Sequence, residues 1–363
     1  IKNTKITFLK FYQVFNTLGN SGPLINDVSF INKSKGFAVG SELFIQTTDG
    51  GSSWQNVPNY SVAFNLKEIK FYNESIGIMG GSQNIFYKTT DGGNTWTIGQ
   101  TAPSGLSSDL LTSFAFTSEQ TIFATAWGSK LWKSTNGGTS WQVSDLGVGQ
   151  DLLKVVFTDA QTGYITFLNS NGAYLKTTNG GDTWTKVTIG TGTLYDIFFV
   201  DQNTGYISAS NGNVYITTNG GNNWTLKSIN VNSTFQSIAF VNAMNGYVAA
   251  KTGYIYQTND GGNSWELVTP ETHSNINLRG MAYAGNNIVF VGDGGTIIKA
   301  ISSRMTVSEA GTNISSGSNY DFGTTGVNQG NNEINFNIRN TGDDTLKITR
   351  PFIELCQIII RRV

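Results

Sequence analysis

Seven times the chain repeats a six-residue phrase whose first and fourth positions are apolar, whose third is usually polar and whose sixth is aromatic. The copies are Ile25–Phe30, Leu66–Phe71, Leu111–Phe116, Leu152–Phe157, Leu194–Phe199, Phe235–Phe240 and residues 278–283. Most are followed by a turn and a glycine–aromatic–aliphatic run, such as Gly36-Phe-Ala-Val39, Gly163-Tyr-Ile165, Gly205-Tyr-Ile207 and Gly246-Tyr-Val248. A third apolar stretch comes next (Leu43-Phe-Ile, Ile85-Phe-Tyr, Tyr174-Leu, Val214-Tyr-Ile). Short β-branched and aromatic runs bounded by turn residues read as strands.

The third run leads into an octet that occurs six times, at residues 47–54, 89–96, 134–141, 177–184, 217–224 and 258–265. It reads Thr/Ser-Thr/Asn-Asp/Asn-Gly-Gly-x-x-Trp, for example Thr89-Thr-Asp-Gly-Gly-Asn-Thr-Trp96. The Asx side chain bonds backbone N–H groups ahead of it, and glycine takes positive φ without penalty, so the octet is a hairpin turn. The tryptophan opens a fourth strand, as in Trp184-Thr-Lys-Val187. The tryptophans lie 42, 45, 43, 40 and 41 residues apart, a period that signals a repeat architecture. Four short antiparallel strands per forty residues make one propeller blade.

The seventh unit, from Leu278 to Ala300, has three strands but no octet and no tryptophan. Residues 6–15 form an unassigned apolar strand ahead of the first unit. Pairing that strand with the last unit closes the ring and removes two exposed edges. The expectation is an all-β, seven-bladed β-propeller over 1–302 whose N-terminal strand completes the last blade. From residue 303 the period stops. Alternation at Ile334, Phe336 and Ile338, with strand-like stretches at 319–323 and 345–349, predicts a partial, truncated immunoglobulin-like β-sandwich over 303–363.

Composition narrows function by exclusion. The 363 residues carry a formal net charge of −1 and 13% charged residues, with no basic footprint for nucleic acid. No apolar run approaches the ~20 residues of a membrane span. Cys356 is the only cysteine and His273 the only histidine, so neither a disulfide, a zinc cluster nor a Ser-His-Asp triad is expected. High Gly, Asn, Thr and Ser content suggests export from a bacterium. No cofactor and no metal are expected, and a monomer is.

The octet resembles the Asp-box, Ser/Thr-x-Asp-x-Gly-x-Thr/Ser-Trp, of sialidase-like and other propellers. That resemblance places Asp49, Trp54, Asp91, Trp96, Asn136, Trp141, Asn179, Trp184, Asn219, Trp224, Asp260 and Trp265 on the outer rim as structural residues. Three neutral asparagines among the six Asx positions argue against calcium. A sialidase grips its substrate carboxylate with three arginines, and before Ser303 the chain has only Arg279. A glycoside hydrolase would need a carboxylate pair. Asp27, Glu68 and Asp196 occupy the third position of their phrases, where Ser113, Lys154, Ser237 and Gly280 stand in the others. Trp127 lies outside the repeat, at the turn from second to third strand. It is read either as a core aromatic or as an anchor on the face opposite the boxes.

The combined phrase, Leu-x-Asp-Ile-x-Phe, Gly-Tyr and the box, resembles the photosystem II assembly/stability factor family of seven-bladed propellers across nearly all of 1–302. The resemblance implies an assembly chaperone of a membrane complex; related propellers are common in exported bacterial proteins. The residues themselves favour a non-catalytic, exported or cell-surface scaffold that binds protein or glycan, with Trp127, Asp27, Glu68, Asp196 and Arg279 as binding candidates. The alternatives are a glycoside hydrolase using the inner-strand carboxylates, and the assembly chaperone.

Overall fold

A computed structural model describes residues 12–16, 22–60, 64–99, 110–268, 276–285, 287–300, 305–309, 312–314 and 337–340. Residues 13–299 form one compact unit. It contains seven four-stranded sheets, antiparallel throughout in the first six blades. Blade 1 runs Ile25–Phe30, Gly36–Gly40, Leu43–Thr47 and Gln55–Asn56 in sequence and in space. Blades 2 to 6 repeat that order from Leu66, Leu111, Leu152, Leu194 and Phe235. In blade 7 the strands Leu278–Ala284, Asn287–Gly292 and Thr296–Ala300 are completed by Tyr12–Asn16, which lies beside Thr296–Ala300. The seven inner strands contact one another in a closed cycle from blade 1 to blade 7 and back. The ring therefore closes as its repeats require, with the added strand drawn from residues 12–16.

The inner-strand phrase puts buried side chains at positions one and four, a parity that a regular strand cannot keep on one face. The structure resolves it with a bulge. In all seven blades the pairing register shifts between the first and third residue, for instance between Ile25 and Asp27 and between Leu66 and Glu68. The extra residue re-aims the third side chain.

The Gly-aromatic phrase also has a steric cause. A Cβ on Gly36, Gly77, Gly163, Gly205 or Gly246 would lie 2.4–2.7 Å from the ring of the inner-strand aromatic of the same blade, Phe30, Phe71, Phe157, Phe199 or Phe240. The aromatic next to the glycine then packs across to the following blade. Phe37 stacks on Phe71 at 5.6 Å, and Tyr164 on Phe199 at 4.6 Å. Box tryptophans seal the same joints: Phe37 of blade 1 meets Trp96 of blade 2 edge-on at 5.9 Å, and Phe86 of blade 2 meets Trp141 of blade 3 at 5.4 Å.

The second unit comprises residues 1–12 and 300–363. Its described residues from 305 onward form a three-stranded antiparallel sheet in which Met305–Glu309 lies between Thr312–Ile314 and Asn337–Asn340. The strand-like stretches 319–323 and 345–349 lie outside the described residues, as does His273.

Candidate functional site

The boxes are built as self-contained turns. In the second, the Thr89 hydroxyl donates to Asp91 Oδ1 (2.8 Å) and accepts the Gly93 N–H (2.8 Å). Asp91 Oδ1 accepts the Thr95 N–H and Oδ2 the Thr95 hydroxyl, at 2.9 and 2.6 Å. These bonds pull the Asp91 pKa down to about 2, the Thr95 hydroxyl contributing most. Where asparagine stands, the geometry is kept. Asn136 Oδ1 accepts the Ser140 N–H at 2.9 Å, and its Nδ2 meets the Ser140 hydroxyl at 2.9 Å with the donor reversed. A site that works equally with a neutral amide does not depend on a cation. Each box is also pinned to its own blade: Gly92 and Gly137 N–H donate to Ser75 and Gln120 carbonyls at 2.8 Å.

Lysines on the third strands reach over to the next blade's box. Lys88, Lys133 and Lys176 donate to the carbonyls of Gly137, Gly180 and Gly220 at 2.6, 3.0 and 2.8 Å. Lys299 of blade 7 donates to Ser52 of blade 1 at 2.8 Å, across the ring closure. This belt was not anticipated from sequence. Its signal is a basic residue two positions before the box Asx-Gly turn's first Thr/Ser-Thr pair ends, visible only once blades are known to be neighbours.

The bulge aims the third residue of each phrase at the adjacent inner strand. Asp27 Oδ2 of blade 1 accepts the Ile69 N–H of blade 2 at 3.0 Å. Glu68 of blade 2 accepts the Phe114 N–H of blade 3, Ser113 accepts the Val155 N–H at 3.2 Å, and Asp196 Oδ2 accepts the Ile238 N–H at 3.0 Å. Lys154 has no acceptor to offer blade 5, and Asp196 compensates by accepting its own neighbour, the Ile197 N–H, at 2.9 Å. Gly280 likewise offers nothing to blade 1, and Asp27 accepts the Val28 N–H itself. The two aspartates thus stand where the preceding blade supplies no acceptor. Lys154 ion-pairs with Glu68 two blades away, passing blade 3.

These charges share one environment. Asp27 is pushed up to about 7, chiefly by burial and further by Glu68, against the pull of Lys154. Asp196 is raised by burial, again opposed by Lys154. Burial alone would lower the Lys154 ammonium, but Glu68, Asp196 and Asp27 together hold it above the ordinary lysine range.

Asp27, Glu68 and Asp196 were expected as binding residues, and the structure gives them a different use. It brings them to one wall, but their oxygens are occupied by backbone N–H groups and by Lys154, and Glu68 is only 3% exposed. Perturbed pKa values mark catalytic sites and structural ion networks alike. Trp127 is 49% exposed, which removes the core reading, and its neighbour Gly128 donates to Asp151 of blade 4 at 2.9 Å. Arg279 donates from Nε to Asp293 at 2.5 Å. Among the described residues no group of three His, Cys, Asp or Glu is placed to hold a metal ion, and no helix is long and apolar enough to cross a membrane.

Fold and wall together define a seven-bladed Asp-box propeller whose converging charges join blades. The chain belongs to the family described as photosynthesis system II assembly factor YCF48, whose model matches residues 17–104 and 178–306. Among solved structures, YCF48 bound to D1 peptide is similar at 18% identity and a TM-score of 0.65, over 80% of this chain and 96% of that one. YCF48 from Cyanidioschyzon merolae follows at 17% and 0.62, over 77% and 96%. A virginiamycin B lyase from Staphylococcus aureus shares the fold at 15% and 0.67, over 80% and 99%. No curated protein matches in sequence.

Proposed function

We propose that this chain is a non-catalytic propeller that binds a polypeptide partner on the face opposite the boxes, as an assembly factor does. The observation that carries the reading is the wall. Every carboxylate that converges there is engaged in joining blades, which leaves shape and surface as what the molecule offers. Family membership supports it, and so does the YCF48 structure with a bound D1 peptide. Trp127 is an exposed aromatic on that face, and an amphipathic ring of this kind anchors protein interfaces.

The reading includes an exported or cell-surface location in a bacterium and an immunoglobulin-like character for residues 303–363. Its test is a photo-crosslinking amino acid placed at Trp127 and, separately, at the blade-edge residue Leu226, in cells of the source organism. A discrete polypeptide adduct from position 127 and none from 226 is expected. Hydrolysis of a glycan panel that disappears in Asp196→Asn would overturn the reading in favour of a glycoside hydrolase.

A further inference from the structure

On the face opposite the boxes, the connection from blade 3 to blade 4 (residues 145–151) folds over the turn that carries Trp127. Hydrogen bonds tie the two together along their length. Lys130 pairs with Asp145 at 2.8 Å, and the Leu146 N–H donates to the Ser129 carbonyl at 2.9 Å. The buried Ser129 hydroxyl donates to the Gln150 carbonyl and accepts the Gln150 N–H, both at 3.1 Å. The Gly128 N–H donates to Asp151 Oδ1 at 2.9 Å, and the Trp127 N–H to the Leu110 carbonyl at 3.2 Å. The turn is thus held in place before any ligand arrives, which lowers the ordering cost of binding. The space around it is open: a Cβ on Gly128, Gly147 or Gly149 would meet no atom within 4 Å.

The Gly128 bond sets a carboxylate beside the half-exposed indole. Gly128 N is joined to the Trp127 carbonyl carbon, so Asp151 Oδ1 stands within about 6 Å of the Trp127 Cα. Among the described residues Asp151 Oδ2 accepts no hydrogen bond, and no cation lies within ion-pair distance of the carboxylate. The neighbouring charges are engaged elsewhere. Lys130 holds Asp145, whose Oδ1 also accepts the Gly147 N–H at 2.8 Å. Lys186 of blade 4 lies over the Phe167 ring at 5.7 Å. Lys154, further along the inner strand that follows Asp151, pairs with Glu68. The wall sets Asp27, Glu68 and Asp196 against that single lysine, so it has no spare cation to lend. An aromatic face and an unneutralised carboxylate therefore stand side by side on open surface.

We infer that the surface formed by Trp127 and Asp151 binds a basic side chain of the partner polypeptide, its cation laid on the indole and hydrogen-bonded to Asp151 Oδ2. The inference rests on the polypeptide-binding reading above and names the chemistry of its ligand. The indole face attracts a cation through its quadrupole, and tryptophan does so best among the aromatic residues. The carboxylate supplies the opposite charge and a free acceptor. Arginine and lysine both carry the required cation. A guanidinium can stack flat on the ring while one edge meets the carboxylate, whereas an ammonium meets both as a point charge.

The test uses the full chain labelled with fluorotryptophan, the Trp127 resonance being assigned by its loss in Trp127→Phe. Four acetylated peptide amides are titrated at equal ionic strength: Ala-Arg-Ala, Ala-Lys-Ala, Ala-Gln-Ala and Ala-Glu-Ala. At least one basic peptide is expected to shift the Trp127 resonance and to bind roughly 10-fold tighter than the glutamine peptide, as one cation–π contact with one charge-assisted bond would give. Preference for arginine or for lysine identifies the side chain. Asp151→Asn keeps an acceptor for the Gly128 N–H, so the turn stays in place while the charge is removed. It is expected to erase the preference for the basic peptides and leave the free Trp127 resonance where it was. No Trp127 shift with any basic peptide at millimolar concentration, equal binding of the basic and glutamine peptides, tighter binding of the glutamate peptide, or a basic preference that survives Asp151→Asn each overturns the inference. If that happens while crosslinking at position 127 still captures a polypeptide, only the cationic chemistry fails; if crosslinking fails too, the polypeptide reading falls with it.

Discussion

At the scale of single residues, the protein spends its polar chemistry on joints. Asp27 shows the consequence for pH. In the unfolded chain an aspartate ionises near 3.9, whereas here burial raises it to about 7. Between those values the folded state keeps a proton that the unfolded state has lost. The stability associated with that proton is fully present below about pH 4 and is lost as pH rises through about 7. Asp27→Asn removes the titration. The Tm difference between wild type and this variant is therefore expected to narrow in favour of the variant from pH 5 to pH 8; parallel Tm profiles would show that Asp27 does not hold its proton. The box makes a second contrast. Asp91→Asn is expected to cost under about 1 kcal/mol, because Asn136 already makes the equivalent bonds. Thr89→Val leaves the buried Gly93 N–H without an acceptor and is expected to cost about 1–3 kcal/mol in urea unfolding. Equal costs for the two would refute this division of labour. The sequence made the box legible because its bonds are local. It did not reveal why aspartate stands at 27 and 196, because the reason lies in Lys154 and Gly280, each far away in the chain.

At the scale of elements, the blade is held by pairs that look like separate motifs in the sequence. The Gly-Tyr strand and the terminal aromatic of the inner strand are one contact, since a Cβ at Gly205 would lie 2.5 Å from Phe199. Gly205→Ala is expected to destabilise by about 1–3 kcal/mol through overpacking. Adding Phe199→Leu should recover part of that loss, a coupling that a double-mutant cycle measures directly. Strict additivity would mean that the ring is not what excludes the methyl group. The strands themselves were readable from apolar patterning. The bulge was not, although its trace was present: apolar residues at positions one and four of a strand violate alternation, and only the structure shows that an inserted residue restores it. The lysine belt was invisible for a different reason, because Lys133 and Gly180 are neighbours only once the ring exists.

At the scale of the whole molecule, closure is the feature on which the rest depends. Blade 7 lacks a box and a fourth strand of its own, and Tyr12–Asn16 supplies the strand from the opposite end of the sequence. Two further contacts cross the same seam. Lys299 reaches Ser52, and Trp54 packs in a cluster that includes Val289 and Ile297 of blade 7. In an open array each blade contributes only its own and nearest-neighbour stability, whereas a closed ring adds one more interface at no cost in chain length. Removing residues 1–16 should therefore do more than unpair one strand. It bares the edge Thr296–Ala300, a template for intermolecular pairing. The truncated protein is expected to unfold at lower temperature, over a broader transition, and to elute partly as oligomers in size-exclusion chromatography. A synthetic peptide of residues 1–17 supplied in trans should restore the monomer by adding its strand to that edge. If the truncated chain kept the wild-type Tm and monomeric elution, the seam would be held by side chains alone, and rigidity of the binding face would have to come from the lysine belt and the bulge-aimed carboxylates rather than from the borrowed strand.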